Sequence, residues 1–280
     1  MAAHLELLKV NHINAITDGY ADTITHFRDR LGLQVNLEIP DRGDGVEACL
    51  LTLGGVMFEF FAPKERDTGQ GRLLDRFGDQ YIGVEYQVPD VAAAREVCQA
   101  QGVRIINDPG PVFFTYPGSC LGISFEIWTG DWHLPQPGSY FNDVLPPAYW
   151  RDEHPLGVTG LARISVAVED LDAALETLQN LTGAPLVAKV ERPQAGARGA
   201  QLTVGDTIFE LLAPTGDGAV ADYLARYGER IRSTVFRVAD LARVEQHLAG
   251  QGFSLVPGDA DGALAIPTEQ NKHLLFEFTE

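Results

Sequence analysis

The stretch Gly55-Val-Met-Phe-Glu-Phe-Phe-Ala-Pro63 organises this chain, because it occurs twice. It returns 151 positions later as Asp206-Thr-Ile-Phe-Glu-Leu-Leu-Ala-Pro214. A second pair, Leu74-Asp-Arg-Phe-Gly78 and Leu224-Ala-Arg-Tyr-Gly228, has an offset of 150. Self-similarity at a fixed spacing is the sequence signature of a repeat. The 280 residues therefore contain two copies of a unit of about 150 residues.

The dipeptide Phe-Glu indicates that each unit divides again. It occurs at spacings of 67, 84 and 67 residues, far more regularly than chance would place it. Its four positions are Phe58-Glu59, Phe125-Glu126, Phe209-Glu210 and Phe276-Glu277. The regular spacing predicts four modules, two in each half of the chain.

The first module shows the local pattern. The apolar run Leu7-Leu8-Lys9-Val10-Asn11-His12-Ile13 indicates a strand. Apolar residues at helical spacing follow, and Gly32 ends that helix. Alternating segments near 33–39, 46–53 and 56–62 indicate three more strands. The other modules repeat this order, so the predicted fold class is α+β, with four βαβββ modules paired into two domains.

The predicted domains are residues 1–130 and 158–280, joined by a connecting segment at 131–157. The region from Trp128 to Gly157 holds five prolines and all three tryptophans. Proline excludes regular structure, and a flexible tether would be richer in glycine and serine. We therefore expect the connecting segment to pack across the two halves and to bury its aromatic side chains.

The charge balance disfavours several classes of partner. The chain has 39 acidic and 21 basic residues, a net charge of −18, which would repel a nucleic acid backbone. No stretch approaches the roughly 20 apolar residues of a membrane helix. The three cysteines are scattered and odd in number, which fits reduced thiols in the cytoplasm. We expect a cytoplasmic protein whose partner is a small molecule.

Paired βαβββ modules with acids at the ends of their last strands resemble the vicinal oxygen chelate superfamily, the group of glyoxalases, bleomycin resistance proteins and extradiol dioxygenases. The stretch from Asn11 to Gly32 is especially similar to the opening strand and helix of glyoxalase I. The resemblance implies that two modules form a cleft around a divalent metal. It further implies His, Glu or Gln, His and Glu as ligands, each from a first or last strand of a module. Dimerisation through module edges is also implied.

The resemblance assigns ligands in the first half by position. It implies metal ligands at His12, Glu59 and Glu126, with Glu126 or Glu59 also acting as the catalytic base. The remaining ligand position is Gly83, which has no side chain. Glu85 lies two residues on, faces the same side of the strand and is the candidate substitute. The alternatives are a core role for His12 and a strand salt bridge for Glu85.

The corresponding positions of the second half are Arg163, Glu210, Ser233 and Glu277. A fixed cation at Arg163 would repel a metal and could pair with Glu210 or Glu277. We therefore expect the second half to be a metal-free duplicate that lines part of a pocket. Because its two glutamates would then serve the fold, Glu59 and Glu126 keep a structural role as an alternative.

Two functional hypotheses follow from the resemblance. The leading one is a glyoxalase-like enzyme with isomerase, lyase or epimerase chemistry, in which Zn, Mn, Fe, Co or Ni acts as a Lewis acid on two adjacent substrate oxygens. The alternative is a metal-free protein of the bleomycin resistance type that sequesters a small molecule. A ring-cleaving dioxygenase is disfavoured, because neither half offers two histidines at the mapped positions.

Overall fold

The computed structural model describes residues 4–136 and 140–280; residues 137–139 of the predicted connecting segment lie outside the described residues. Four segments share the element order β-α-β-β-β, which confirms the predicted fold class. The first module contains β1 (Lys9–Ile16), α1 (Tyr20–Thr25), β2 (Gln34–Ile39), β3 (Val46–Leu53) and β4 (Val56–Pro63), followed by α2 (Gly69–Phe77). The second contains β5 (Gln80–Gln87), α3 (Val91–Ala100), β6 (Ile105–Asn107), β7 (Val112–Thr115) and β8 (Ser124–Trp128).

The second half repeats this order after the connecting segment. The third module contains β9 (Val158–Ala167), α4 (Leu171–Thr182), β10 (Leu186–Arg192), β11 (Ala197–Val204) and β12 (Thr207–Pro214), followed by α5 (Ala219–Tyr227). The fourth contains β13 (Arg230–Val238), α6 (Leu241–Gly250), β14 (Val256–Pro257), β15 (Leu264–Ile266) and β16 (Leu275–Thr279). Short π-helical turns occupy His26–Arg30 and Tyr149–Glu153, and 3-10 turns occupy Pro117–Ser119, Pro193–Ala195 and Thr268–Gln270.

The strands form two eight-stranded mixed sheets. Their orders are β2-β3-β4-β1-β5-β8-β7-β6 and β10-β11-β12-β9-β13-β16-β15-β14, so the two halves have the same topology. The first and last strands of each module run parallel: Asn14 lies opposite Glu59, and Glu85 lies opposite Glu126. Because side chains alternate along a strand, each Phe-Glu dipeptide sends its phenylalanine to one face and its glutamate to the other.

Aspartates start the helices of three modules. The carboxylate of Asp90 accepts hydrogen bonds from the backbone N–H groups of Ala92 and Ala93 at 2.7 and 3.1 Å. Asp170 and Asp240 cap α4 and α6 in the same way, which satisfies amides that have no partner within the helix. None of the helices in residues 4–136 and 140–280 has the length and apolar character needed to cross a bilayer.

The helix of the first module differs from the prediction. The sequence predicts one continuous helix up to Gly32, whereas α1 passes into the π-helical turn at His26. Phe27 in this wider turn stacks on Phe60 of β4, with ring centroids 4.4 Å apart. The turn therefore brings an aromatic ring onto the phenylalanine face of the sheet.

The chain divides into two compact units, each built from two modules. One unit comprises the chain up to His12, Ile82–Asp131 and Arg163–Arg232; the other comprises Ile13–Tyr81, Trp132–Ala162 and Ser233–Glu280. The first combines the second and third modules, and the second combines the first and fourth. The predicted bounds follow the duplication, whereas the compact units take modules from both halves.

Phenylalanines from the Phe-Glu dipeptides form the core of each unit. In the unit that contains His12, the ring centroid of Phe209 lies 6.5 Å from that of Phe125 and 6.4 Å from that of Tyr86. In the other unit, Phe58 stacks on Phe276 at 5.2 Å. All of these rings are fully buried. The face opposite the glutamates is therefore the packing face.

The described part of the connecting segment buries two of its large aromatic side chains, Phe141 and Trp150, and half-buries two more. Trp150 is 1% exposed, Phe141 is 8% exposed, and the ring of Trp132 lies 5.7 Å from that of Phe141. Tyr140, next to residues outside the description, is 98% exposed and departs from the prediction.

The connecting segment also contacts both halves of the chain. Asn36 of β2 donates a hydrogen bond from Nδ2 to the carbonyl of Asn142 at 2.8 Å. Arg243 of α6 donates to the carbonyl of His154. The segment is thus held by polar contacts from the first and fourth modules.

Candidate metal centre

Three buried side chains meet on neighbouring strands of the first sheet. His12 of β1, Glu85 of β5 and Glu126 of β8 each offer a ligand atom, and these atoms lie within 4.8 Å of one another. Nε2 of His12 is 3.4 Å from Oε2 of Glu85. Parallel pairing sets Glu85 directly opposite Glu126, so both carboxylates lie on the same face. The cluster belongs to a single compact unit.

Asn11 orients one of these carboxylates. Its Nδ2 donates to Oε1 of Glu85 at 2.8 Å and to the carbonyl of Gly130 at 2.9 Å, and its side chain is fully buried. Oε2 of Glu85 consequently faces His12. A fixed polar neighbour of this kind holds a ligand in the geometry that a metal requires.

The position of Gly83 has no side chain to bind a metal and no room for one. A Cβ atom at this position would lie 2.2 Å from the carbonyl oxygen of Ser124, its partner on β8. The close approach of the two backbones therefore requires glycine. Glu85, one pleat further along β5, is the carboxylate that the structure places beside His12.

Glu59 has a different setting. It lies on β4 in the other compact unit, and its Oε1 is 3.4 Å from Nη1 of Arg42. Within the described residues, the His12, Glu85 and Glu126 cluster is the group of histidine, cysteine and acidic side chains close enough to share an ion. The ligand and base roles of Glu59 stay predictions.

The donors in this cluster fit a divalent transition metal. Two buried carboxylates beside one imidazole concentrate negative charge, which is costly away from water without a compensating cation. Imidazole nitrogen together with carboxylate oxygen suits Zn, Mn, Fe, Co or Ni. His12, Glu85 and Glu126 would be the protein ligands and would leave positions for substrate oxygens or water.

The corresponding positions of the second half hold ion pairs and hydrogen bonds. Nε of Arg163 lies 3.3 Å from Oε1 of Glu210, one of the two partners that the sequence allowed. Arg192 donates two hydrogen bonds to Glu210, from Nε to Oε1 at 3.0 Å and from Nη2 to Oε2 at 2.7 Å. Gln201 donates a further hydrogen bond to Oε2. Glu210 is fully buried, and these contacts account for both of its oxygens.

Glu277 is held by neutral donors instead. Ser233 Oγ donates to Oε1 at 2.6 Å, and the backbone N–H of Asp259 donates to Oε2 at 2.7 Å. Both Ser233 and Glu277 are fully buried. The four mapped positions of the second half therefore fall into two separate polar groups, one in each compact unit.

The two family matches fall on the two halves of the chain. Residues 9–117 match the family described as the Glyoxalase/Bleomycin resistance protein/Dioxygenase superfamily, and residues 164–276 match a Glyoxalase-like domain. The chain is a two-domain member of the vicinal oxygen chelate superfamily. No curated protein matches it.

A solved structure shares the fold of this vicinal oxygen chelate protein. A triple mutant of 4-hydroxymandelate synthase from Streptomyces coelicolor superposes with a TM-score of 0.75, at 16% identity over 97% of this chain and 92% of the other. Methylmalonyl-CoA epimerase from Mycobacterium tuberculosis is 31% identical over 43% of this chain and 87% of its own, with a TM-score of 0.41. At its low identity, the synthase shows a shared fold alone.

Two site residues were absent from the sequence predictions. Asn11 precedes His12 without any diagnostic spacing, so one sequence gives no signal for it. Arg192 does have a signal, because it lies 150 positions after Arg42. Each arginine approaches the Phe-Glu glutamate of its own module, Arg42 approaching Glu59 and Arg192 approaching Glu210.

Proposed function

We propose that this vicinal oxygen chelate protein is a metal-dependent enzyme that acts on a small molecule with two adjacent oxygens, by isomerase, lyase or epimerase chemistry. The observation that carries the proposal is the buried cluster in which ligand atoms of His12, Glu85 and Glu126 lie within 4.8 Å of one another. Sequence similarity to the superfamily supports the reaction class, and the cluster supports the dependence on metal.

Glu85 is the proposed ligand whose orientation the neighbouring residues fix. His12 and Glu85 are in mutual contact, and Asn11 fixes the orientation of Glu85. A divalent metal bound there would act as a Lewis acid on the two substrate oxygens and stabilise negative charge that develops on them. Glu85 is therefore assigned as a fixed ligand.

Glu126 is the proposed general base. It lies opposite Glu85 on the adjacent strand, and at 8% exposed it is more accessible than Glu85 at 3%. Its carboxylate would take the proton from the carbon beside one of the two oxygens, leaving the electron pair on the substrate. Returning that proton to the neighbouring carbon, together with transfer of the hydroxyl proton from one oxygen to the other, completes an isomerisation with no change in composition. Glu59 is the second candidate for this role.

Elemental analysis tests the metal requirement directly. The purified protein is incubated separately with Zn, Mn, Fe, Co and Ni, dialysed, and assayed for bound metal beside His12→Ala. We expect close to one equivalent of at least one metal in the wild type and a large loss in His12→Ala. His247→Ala, on α6 in the other compact unit, is the matched control and should bind as the wild type does.

A metal content below about a tenth of an equivalent for all five metals would overturn the enzyme proposal. That result would favour the small-molecule binder of the bleomycin resistance type, whose cleft needs no metal. Retention of metal in His12→Ala would mean that the metal binds outside this cluster.

The setting proposed for the enzyme follows the sequence prediction of a cytoplasmic protein. Cys49, Cys98 and Cys120 are free and buried, and burial raises the pKa of Cys98 to about 12. Buried thiols of this kind are inert packing residues. The expected partner is a small-molecule substrate, and a homodimer formed through module edges is tested by the molar mass in solution.

A further inference from the structure

A second polar site lies in the second half of the chain, on the glutamate face of β9, β11 and β12. Register places Gln201, Glu210 and Ser165 in one row across these three strands. Arg163 precedes Ser165 by two residues on β9, so both side chains lie on the same face. All of these residues belong to one compact unit.

The charges in this site do not balance. The guanidinium groups of Arg163 and Arg192 both pair with the single carboxylate of Glu210. Arginine stays charged at any ordinary pH, so the group carries one excess positive charge. Arg163 and Glu210 are each more than nine-tenths buried, where water compensates charge poorly.

Three buried donor atoms in the same site have no hydrogen-bond acceptor among the described residues. They are Nη2 of Arg163, Oγ of Ser165 and Nε of Arg163, which lies 3.3 Å from Oε1 of Glu210 as an ion pair without making a hydrogen bond. Glu210 already receives Arg192 and Gln201, so its oxygens are engaged elsewhere. Leaving donors unsatisfied inside a protein is costly, and the cost is greater for a charged group. An acceptor from outside the chain would relieve it.

We propose that Arg163 and Ser165 bind the carboxylate group of a small organic acid. One carboxylate supplies the single negative charge that the Arg163, Arg192 and Glu210 group lacks. Its two oxygens match two donors, a guanidinium N–H and a hydroxyl. A phosphate dianion would bring two charges against an excess of one, beside the carboxylate of Glu210. In this proposal the second half of the chain binds a ligand, and the guanidinium of Arg163 supplies the positive charge that a metal ion would supply.

The site has a defined boundary. One pleat beyond Ser165 and Glu210, the same face continues with Ala167 and Leu212, which pack with Val220 of α5 in a buried apolar cluster. The polar part of this face therefore ends at the row of Gln201, Glu210 and Ser165.

Binding of acetate tests this proposal without reference to catalysis. Saturation-transfer NMR of the acetate methyl group is recorded on the full-length protein, with competition by sodium benzoate, sodium phosphate and sodium chloride at equal ionic strength. We expect a saturable acetate signal that benzoate displaces and that phosphate and chloride do not. Arg163→Met should weaken binding at least about tenfold, since a charge-assisted contact is lost.

Further variants keep the result decisive. Ser165→Ala leaves the ion pairs in place and should weaken acetate binding about threefold to tenfold even if Arg163→Met does not fold. Arg198→Met, on an exposed residue of β11, and His12→Ala should bind as the wild type does. The His12→Ala result separates this site from the proposed metal centre.

Three outcomes would overturn the proposal. They are the absence of a saturable acetate signal, equal displacement by chloride, and full acetate binding by both Arg163→Met and Ser165→Ala. Loss of acetate binding in His12→Ala alone would place the carboxylate at the metal centre instead.

Discussion

Nε2 of His12 lies 3.4 Å from Oε2 of Glu85, although the family pattern places the ligand two residues earlier, at Gly83. The pleat of β5 gives both positions the same face, so a shift of two residues preserves the direction of the side chain. From its later position, Glu85 can take the place of a ligand at Gly83 only if its long side chain reaches back along the strand. The contact with His12 shows that it does reach the cluster.

Glu85→Gln should weaken metal binding at least about tenfold, because a neutral amide replaces a charged ligand. Glu59→Gln is the matched change on β4, at the position that the family pattern assigns to a ligand. Competition with a chromogenic chelator gives both affinities. If Glu59→Gln loses the metal and Glu85→Gln keeps it, the family pattern holds and the cluster described above is wrong as the ligand set.

Asn11→Ala should weaken metal binding by about tenfold to a hundredfold without removing a ligand, because Glu85 would lose the hydrogen bond that orients it. Asn36→Ala is the control, since Asn36 is also a buried asparagine but bonds to Thr52 and to the connecting segment. The control should lower the free energy of unfolding and leave the metal affinity unchanged. Equal loss of metal in both variants would mean that the effect is one of general stability.

Gly83→Ala should destabilise the fold by about 1–3 kcal/mol, because its Cβ would press on the Ser124 carbonyl and push β5 away from β8. Gly250→Ala is the control: no atom lies within 4 Å of a Cβ there, and alanine favours the end of α6. Urea unfolding measures both. A Gly83→Ala protein as stable as the wild type would show that the two strands can separate at no cost.

The sequence predicts part of the fold and part of the candidate site. The repeat and the alternation of Phe and Glu were enough to predict four modules and the faces of their last strands. The sequence predicts the ligand set less completely. It shows that Gly83 has no side chain to bind a metal, but it does not show whether the side chain of Glu85 reaches His12. That reach depends on how β1 and β5 lie together, which local patterns do not encode.

The packing of modules from different halves against each other was beyond the sequence for a different reason. All four Phe-Glu strands present an apolar face of the same kind, so each is compatible with several partners. The contacts of Phe209 with Phe125, and of Phe276 with Phe58, select one arrangement out of several. They join residues more than 80 positions apart in the first case and more than 200 in the second, far outside any local pattern.

The pH dependence of stability should reveal His154 in the connecting segment. Nε2 donates to the carbonyl of Gly32 at 3.1 Å, and Nδ1 accepts the N–H of Leu156 at 3.3 Å, so the neutral ring satisfies both neighbours. Burial lowers the pKa of His154 from 6.5 to about 4, and the positive charge of Arg243 adds to this effect. A second proton would have to replace the hydrogen bond that Nδ1 accepts.

The sign of the effect follows from the lowered pKa. Above pH 6.5 the ring is neutral in both the folded and the unfolded chain, and the contribution of His154 to stability is complete. As the pH falls from 6.5 toward 4, the unfolded chain takes up a proton that the folded chain refuses, and stability declines by up to about 3 kcal/mol. His154→Gln cannot titrate, although its amide can still donate to Gly32.

Urea unfolding of the wild type and His154→Gln across this pH range measures the difference, because the carboxylates common to both proteins cancel. We expect the variant to be the less stable protein above pH 6.5 and the gap to narrow steadily as the pH falls. A gap that stays constant from 6.5 to 4 would mean that His154 is protonated equally in the folded and unfolded chains, and its packing against Gly32 would then place no constraint on its charge.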